Sequence, residues 1–187
     1  KTDENGNGTE LYYTKDEYRQ LQSAAGERGI KLIAELDTPG HATPYNKYVY
    51  NNQEEVITSL VKYGYLNSED YLDNEGNVKD GVTFYTQNPS NYEVFSIDNE
   101  SANEQIKQNA INARIFIKAL FDEYMGEIDG IEPLFTTDTI HAGVDEYWDR
   151  SGNNPNAFRD YMNEMYDHLS QTGEDKEERE VRMWAGL

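Results

Sequence analysis

The sequence predicts an α/β fold in which parallel strands alternate with helices. Three short runs rich in apolar or β-branched residues predict strands at residues 30–36, 139–142 and 180–184. Segments with apolar residues at helical spacing precede the first run and lie between the others. Strands that alternate with helices along a chain indicate βαβ units, which build a parallel sheet.

The first element is a helix with clear start and stop signals. Thr14 followed by Glu17 is a capping box, the pattern that opens a helix. Gly29 lies where the glycine that ends a helix belongs, directly before the first predicted strand. Helix, tight turn and strand are therefore expected within the first forty residues.

Residues 37–98 predict an elaborated connection inside a single domain that spans residues 1–187. A helix is expected at residues 54–63, and residues 73–81 form a polar loop without periodicity. Long connections in compact domains usually carry function or move.

Two further helices follow. Ser101 with Glu104 is a second capping box, and the helix after it is expected to run for about six turns to Met125. Pro155 suits the first turn of the last helix. The apolar positions of these helices are Ile106, Ala110, Ala113, Ile117, Leu120, Phe121 and Tyr124 in one, and Phe158, Tyr161, Met162, Met165 and Leu169 in the other.

Charge and composition exclude several classes of partner. Acidic residues outnumber basic residues 36 to 16, for a formal net charge of −20. Such a charge repels nucleic acid phosphates and anionic membrane surfaces. The absence of cysteine excludes disulfides and thiolate metal sites. No apolar run approaches the ~18 residues of a membrane span, so neither nucleic acid nor membrane is an expected partner.

Polar side chains gather near the ends of the three predicted strands. They are Glu35, Asp37 and His41 on the first, His141, Asp145 and Glu146 on the second, and Trp184 on the third. Functional groups of parallel α/β proteins collect at the carboxyl ends of strands. A carboxylic acid can protonate a glycosidic oxygen, and an indole can carry the apolar face of a sugar ring. The cluster therefore predicts a sugar-cleaving pocket.

The neighbours Asp145 and Glu146 are the predicted working carboxylates. Two nearby carboxylates repel when both are ionised, so one pKa should rise, and that group becomes the acid. The other stays negative and can stabilise a developing positive charge. An exposed acidic dipeptide is the ordinary alternative, and the strand-end position after His141 and Gly143 argues against it.

Four motifs together resemble glycoside hydrolase family 20. Its pattern is Y-T, R-G-I, P-E-x-D-x-P-G-H and H-x-G-G-D-E. The corresponding segments here are residues 13–14, 28–30, 34–42 and 140–146, in the same order. The resemblance covers about residues 13–46 and 95–187. Ala34 replaces the family's proline, and Val144 replaces its second glycine, which should stiffen that turn.

The resemblance implies a bacterial β-N-acetylhexosaminidase, secreted or on the cell surface, with a TIM-barrel catalytic domain. In its substrate-assisted, retaining reaction the sugar's own 2-acetamido oxygen is the nucleophile. Glu146 would be the general acid and later the base, and Asp145 would orient the acetamido nitrogen. The remaining candidates would surround Glu146 or line the sugar pocket: Glu35, Asp37, His41, His141 and Trp184. Glycans that contain N-acetylhexosamine are the expected partners, with no cofactor and no metal.

The resemblance also implies that the chain is an incomplete barrel. A (β/α)₈ barrel takes ~250 residues. The family's sugar-gripping arginine lies upstream of this segment, and its acetamido-binding tyrosine lies downstream. We therefore expect an excised fragment, a partial (β/α)₈ barrel that is inactive alone. Its expected partners are the rest of the barrel and, through open sheet edges, other copies of itself.

Two alternative functions stay open. The segment at residues 145–148 is similar to the lacto-N-biosidase and Gram-positive surface hexosaminidase branches of the family, and a lacto-N-biosidase would release a disaccharide. A non-catalytic carbohydrate-binding surface module would keep the fold and lose the reaction. Retention of both Asp145 and Glu146 favours an enzyme.

Overall fold

The computed structural model describes residues 12–87, 92–147, 154–171 and 179–184. In chain order the elements are α1 (Lys15–Gly26), β1 (Ala34–Thr38), α2 (Thr43–Asn51), α3 (Gln53–Lys62), α4 (Ser68–Tyr71), α5 (Glu104–Met125), β2 (Thr139–Gly143), α6 (Ala157–Ser170) and β3 (Glu180–Arg182). Among these residues, no helix has both the length and the apolar character needed to cross a membrane.

The three strands form one parallel sheet, which confirms the predicted α/β class. Their order is β1-β2-β3. Glu35 lies opposite His141, and His141 lies opposite Arg182. The register therefore places the candidate side chains of neighbouring strands side by side on one face.

The two faces of the sheet differ in polarity. Along β1 the buried residues Ala34, Leu36 and Thr38 alternate with the more accessible Glu35 and Asp37. Successive side chains of a strand point to opposite faces, so Glu35 and Asp37 share the polar face. The other face is covered by helices, as the βαβ pattern requires.

Helices α5 and α6 bury matching apolar stripes against the sheet. The stripe residues recur every four positions and are Ala113, Ile117, Phe121 and Met125 in α5 and Ala157, Tyr161, Met165 and Leu169 in α6. The Arg114 guanidinium of α5 and the Lys118 ammonium both bind the Glu164 carboxylate of α6, at 2.7 and 2.6 Å. Tyr161 donates a hydrogen bond of 2.9 Å to the Thr38 hydroxyl, which ties α6 to β1.

The connection after β1 contains the three helices α2, α3 and α4 and has its own small core. That core contains Val49, Val56, Ile57, Leu60, Leu66 and Phe84, packed against α5. Buried amides hold the chain that returns from it. Asn46 Nδ2 donates to the backbone oxygens of Tyr92 and Val94, both at 3.0 Å, and Asn46 Oδ1 accepts from the Thr86 hydroxyl at 2.7 Å.

Several predicted element boundaries are wrong. The first strand begins at Ala34 and extends to Thr38, because Ile30 still belongs to the turn after α1 and is 55% exposed. The predicted stop signal of α1 is confirmed: the helix ends at Gly26, and in the turn after it Gly29 has φ +69° while the Ile30 N–H donates to the Ala25 oxygen and the Gly29 N–H to the Gly26 oxygen. The third strand ends at Arg182.

The caps of the last two helices also differ from prediction. Asn103 caps α5, since its Oδ1 accepts from the backbone N–H groups of Gln105 and Ile106, so Ser101 with Glu104 is not the capping box. Asparagine and serine are equally favoured at the N-cap position, and Asn103 directly precedes the first helical residue, Glu104. Pro155 lies ahead of α6 rather than in its first turn. The capping box of Thr14 and Glu17 is confirmed, as is the helix near residues 54–63.

We expect Asn46→Ala to lower the free energy of unfolding by about 2–4 kcal/mol, because it leaves two partly buried carbonyl oxygens and the buried Thr86 hydroxyl without their partner. Asn51→Ala, at the exposed end of the same helix, is the matched control and should cost no more than about 0.5 kcal/mol. Urea denaturation of both variants measures the difference. Equal stabilities would show that the amide does not hold the connection.

Candidate active site

The turn after β1 presents His41 to the polar edge of the sheet. Two backbone hydrogen bonds of 2.8 Å hold this turn. The Phe95 N–H donates to the Pro39 oxygen, and the Ala42 N–H donates to the Glu93 oxygen. His41 itself has φ +48°, an uncommon conformation for a non-glycine residue. The returning connection therefore fixes the turn in which His41 projects from the sheet edge.

Asp37 and Asp145 face each other across the ends of β1 and β2. Burial and the facing carboxyl of Asp145 raise the pKa of Asp37 to about 6. Oδ1 of Asp37 and Oδ1 of Asp145 are both buried, and neither hydrogen bonds to any residue that the structure describes. Two carboxyl groups this close favour one shared proton over two negative charges.

Gly143 makes the approach of Asp37 possible. A Cβ atom added at Gly143 would overlap the Asp37 carboxyl oxygen, and Gly143 has φ +72°. Both the space and the left-handed backbone therefore require glycine at this position.

Glu146 lies beside the imidazole of His41. His41 Nε2 is 3.5 Å from Glu146 Oε2 and 3.8 Å from Asp37 Oδ2, so both carboxyl groups approach the same ring nitrogen. The Glu146 side chain is 70% exposed, which leaves its carboxyl open to a ligand. An imidazole beside two carboxyl groups can orient the exposed one and exchange a proton with it.

A second cluster joins the polar residues of all three strands. The Trp184 indole N–H donates to Glu35 Oε1 at 2.9 Å, and its ring lies 4.6 Å from the His141 ring. His141 Nδ1 accepts from the Gly143 N–H at 3.1 Å, which places the neutral ring's proton on Nε2. Glu35 therefore holds the indole, which is 53% exposed, at the edge of the site.

The backbone after β2 is strained where it delivers Asp145 and Glu146. Val144 has φ +73° and Glu146 has φ +47°. A left-handed conformation costs a side-chain-bearing residue about 1–2 kcal/mol. Val144 is buried in the main core, and burying a valine side chain contributes about 1.5–3 kcal/mol. The burial of Val144 therefore outweighs the strain.

The structure brings all seven predicted site residues to one edge of the sheet, in two adjoining clusters. The pairing of carboxyl groups differs from the expectation, since Asp145 lies against Asp37 and not only beside Glu146 in sequence. Sequence reasoning missed the part played by Gly143. It also missed Arg182, which pairs with His141 and lies on the same polar face. Arg182 is two residues before Trp184, and the alternation of side chains along a strand predicts that the two share a face. Trp148 lies outside the described residues.

Atoms that could hold a metal ion occur within the same site. Ligand atoms of Asp37, His41 and Asp145 lie within 4.8 Å of one another. A proton can neutralise the carboxyl pair in place of a metal ion. The pKa of Asp37 is raised to about 6, so Asp37 is protonated below about that pH.

A parallel sheet that gathers acids, imidazoles and an indole at its carboxyl end defines an α/β protein with a polar cluster capable of acid–base chemistry. The family profile described as "Glycosyl hydrolase family 20, catalytic domain" matches residues 1–179. The chain therefore belongs to glycoside hydrolase family 20, whose members have a TIM-barrel fold and glycosidase activity. In the comparison with curated proteins, no sequence matches this chain.

We expect Gly143→Ala to lower stability by more than the about 1–2 kcal/mol that left-handed backbone costs alanine, because its Cβ would also displace Asp37. Gly76→Ala is the matched control, since Gly76 has φ +86° and nothing lies within 4 Å of an added Cβ. Denaturation of both variants separates the clash from the backbone strain. The same loss in both would contradict the close approach of Asp37.

Proposed function

We propose that the chain carries the acid–base site of a β-N-acetylhexosaminidase that removes terminal N-acetylhexosamine from glycans by substrate-assisted, retaining catalysis. Membership of the family supports glycosidase chemistry in general. The observation that carries the finer proposal is the arrangement of Asp145 and Glu146, with one carboxyl paired below the surface and the other exposed beside His41.

Glu146 acts first as the general acid. Its carboxyl gives a proton to the glycosidic oxygen while the acetamido oxygen of the same sugar attacks C1. The bond from C1 to the leaving oxygen breaks, and a cyclic oxazolinium ion forms. Glu146 then takes a proton from water. The water oxygen attacks C1, and the bond from C1 to the acetamido oxygen breaks, which opens the oxazolinium ring. Two inversions at C1 retain the configuration.

Asp145 acts on the acetamido group. Asp145 is half-buried and directly precedes Glu146, and its carboxylate accepts the acetamido N–H. A negative carboxylate there stabilises the positive charge that develops on the ring. Burial and the facing Asp145 carboxyl raise the pKa of Asp37 to about 6, and a proton on Asp37 removes the repulsion between the two groups.

Trp184 and Glu35 support the sugar pocket. An indole that is held by a carboxylate through its N–H presents a fixed apolar face to a pyranose ring. His141 packs beside that indole and limits its rotation.

We also propose that the three-stranded sheet is part of an eight-stranded barrel. The described residues leave one side of β1 and one side of β3 without a neighbouring strand. Unpaired strand edges can hydrogen bond to a further strand, either from the remainder of a barrel or from another copy of the chain. The 187-residue chain alone would then lack part of the sugar pocket and be inactive.

We expect Glu146→Gln to reduce hydrolysis of a chromogenic N-acetylglucosaminide by about a hundredfold or more in a polypeptide that carries the complete catalytic domain, because the general acid is lost. Glu75→Gln, at an exposed turn, is the matched control and should leave the rate unchanged. The glucoside with the same leaving group should not be cleaved, since it has no acetamido nucleophile.

Equal hydrolysis by the Glu146→Gln variant and the unsubstituted protein would show that Glu146 is not the acid. Equal cleavage of the glucoside and the N-acetylglucosaminide would exclude participation of the acetamido group. Full activity of the 187-residue chain by itself would contradict the proposal that it is part of a larger barrel.

A further inference from the structure

A cavity of about 380 Å³, remote from the candidate active site, lies between α2, α3 and α5. Its α5 residues include Phe116 and Glu123, which belong to a different face of that helix from the stripe that packs on the sheet. Volumes above about 300 Å³ are typical of small-molecule sites. The six aromatic side chains that line it are Tyr45, Tyr48, Tyr63, Tyr65, Phe116 and Tyr124.

The charged side chains in the cavity lining are carboxylates. Glu55 and Glu123 are both lining residues, and none of the described lining residues is lysine or arginine. Glu55 lies near the Tyr48 hydroxyl and, after burial, contributes to raising the pKa of Tyr48, so the ring and the carboxylate belong to one surface. Aromatic faces and carboxylates both attract cations, and the net charge of −20 adds to that preference.

The rim of the cavity already binds two ammonium groups of the protein itself. Lys15 Nζ lies 2.7 Å from Glu123 Oε1 and 5.8 Å from the centre of the Tyr124 ring. Lys62 Nζ lies 4.9 Å from the centre of the Tyr63 ring. Ammonium groups on these rings show that the electrostatic potential at the rim suits a cation.

We propose that this cavity is a binding site for a small organic ammonium ion, separate from the sugar site. The tyrosine rings supply cation–π contacts, and Glu55 supplies the balancing negative charge. A quaternary or substituted ammonium is the favoured class, because its methyl groups pack on the aromatic walls while its charge faces the carboxylate.

Choline and its uncharged isostere 3,3-dimethylbutan-1-ol test the site, titrated calorimetrically into the 187-residue chain. The two ligands have the same shape and differ in charge. We expect the alcohol to bind at least about tenfold more weakly than choline, because it has no positive charge to interact with the aromatic rings and the carboxylate. Equal affinities would overturn the proposal and leave a merely apolar cavity.

Matched variants locate the binding. Glu55→Gln should weaken choline binding about fivefold, the effect of one nearby charge in water, and Tyr48→Ala should also weaken it. The neighbouring variants Glu54→Gln and Tyr50→Ala lie outside the lining and should bind choline as the unsubstituted chain does. Binding that survives Glu55→Gln unchanged would place the cation elsewhere and contradict the proposed site.

Lys15→Met provides a test of opposite sign. Removing the Lys15 ammonium frees the Glu123 carboxylate and one face of Tyr124, so choline should bind more tightly. A variant that only loosened the fold would weaken binding instead. Unchanged or weaker binding in a Lys15→Met chain that stays folded would count against a cation site.

Discussion

The contact between Asp37 and Asp145 is the constraint on which the site depends. It places two carboxyl groups together at the ends of neighbouring strands, where burial and proximity raise the pKa of Asp37 to about 6. The contact exists because Gly143 has no side chain and has a left-handed backbone, so β2 can pass directly beside the Asp37 carboxyl. Glu146 and His41 take their positions from the turns on either side of this contact.

The remainder of the fold holds those two turns in place. Buried stripes of α5 and α6 fix the sheet from its apolar face. The turn that carries His41 depends on backbone hydrogen bonds to the connection, which the buried Asn46 side chain holds through three hydrogen bonds. The strain at Val144 is tolerated because its side chain is buried in the same core. Packing remote from the site therefore determines the geometry of the acid and its neighbours.

Features with a regular period could be predicted from the sequence. The helical spacing in α5 and α6 is found in the structure, as are three strands that overlap the predicted runs and pair in parallel. The candidate residues followed from strand-end positions and from the family motifs, and the structure places them at one edge of the sheet. The family match extends through residues 47–94, where no motif was recognised.

Features that depend on register or on long-range contacts could not be predicted. The sequence analysis expected repulsion between the neighbours Asp145 and Glu146 to raise the pKa of one of them. The strand register instead brings Asp37 to Asp145, and the pKa of Asp37 is raised. Helices α2 and α4 were missed because they are short and depend on a local core and on buried amides rather than on a strong apolar period. The strand at Ile30 was misplaced because an apolar residue in a turn can stay exposed.

The central claim is that Asp37 and Asp145 interact as a carboxyl pair. A carbon-13 NMR titration of the aspartate carboxyl groups measures it directly, in the unsubstituted chain and in the Asp145→Asn variant. The account predicts that Asp37 titrates near pH 6 in the unsubstituted chain and at a lower pH once the Asp145 charge is removed. Titration of Asp37 near its ordinary value of 3.8 in the unsubstituted chain would contradict it.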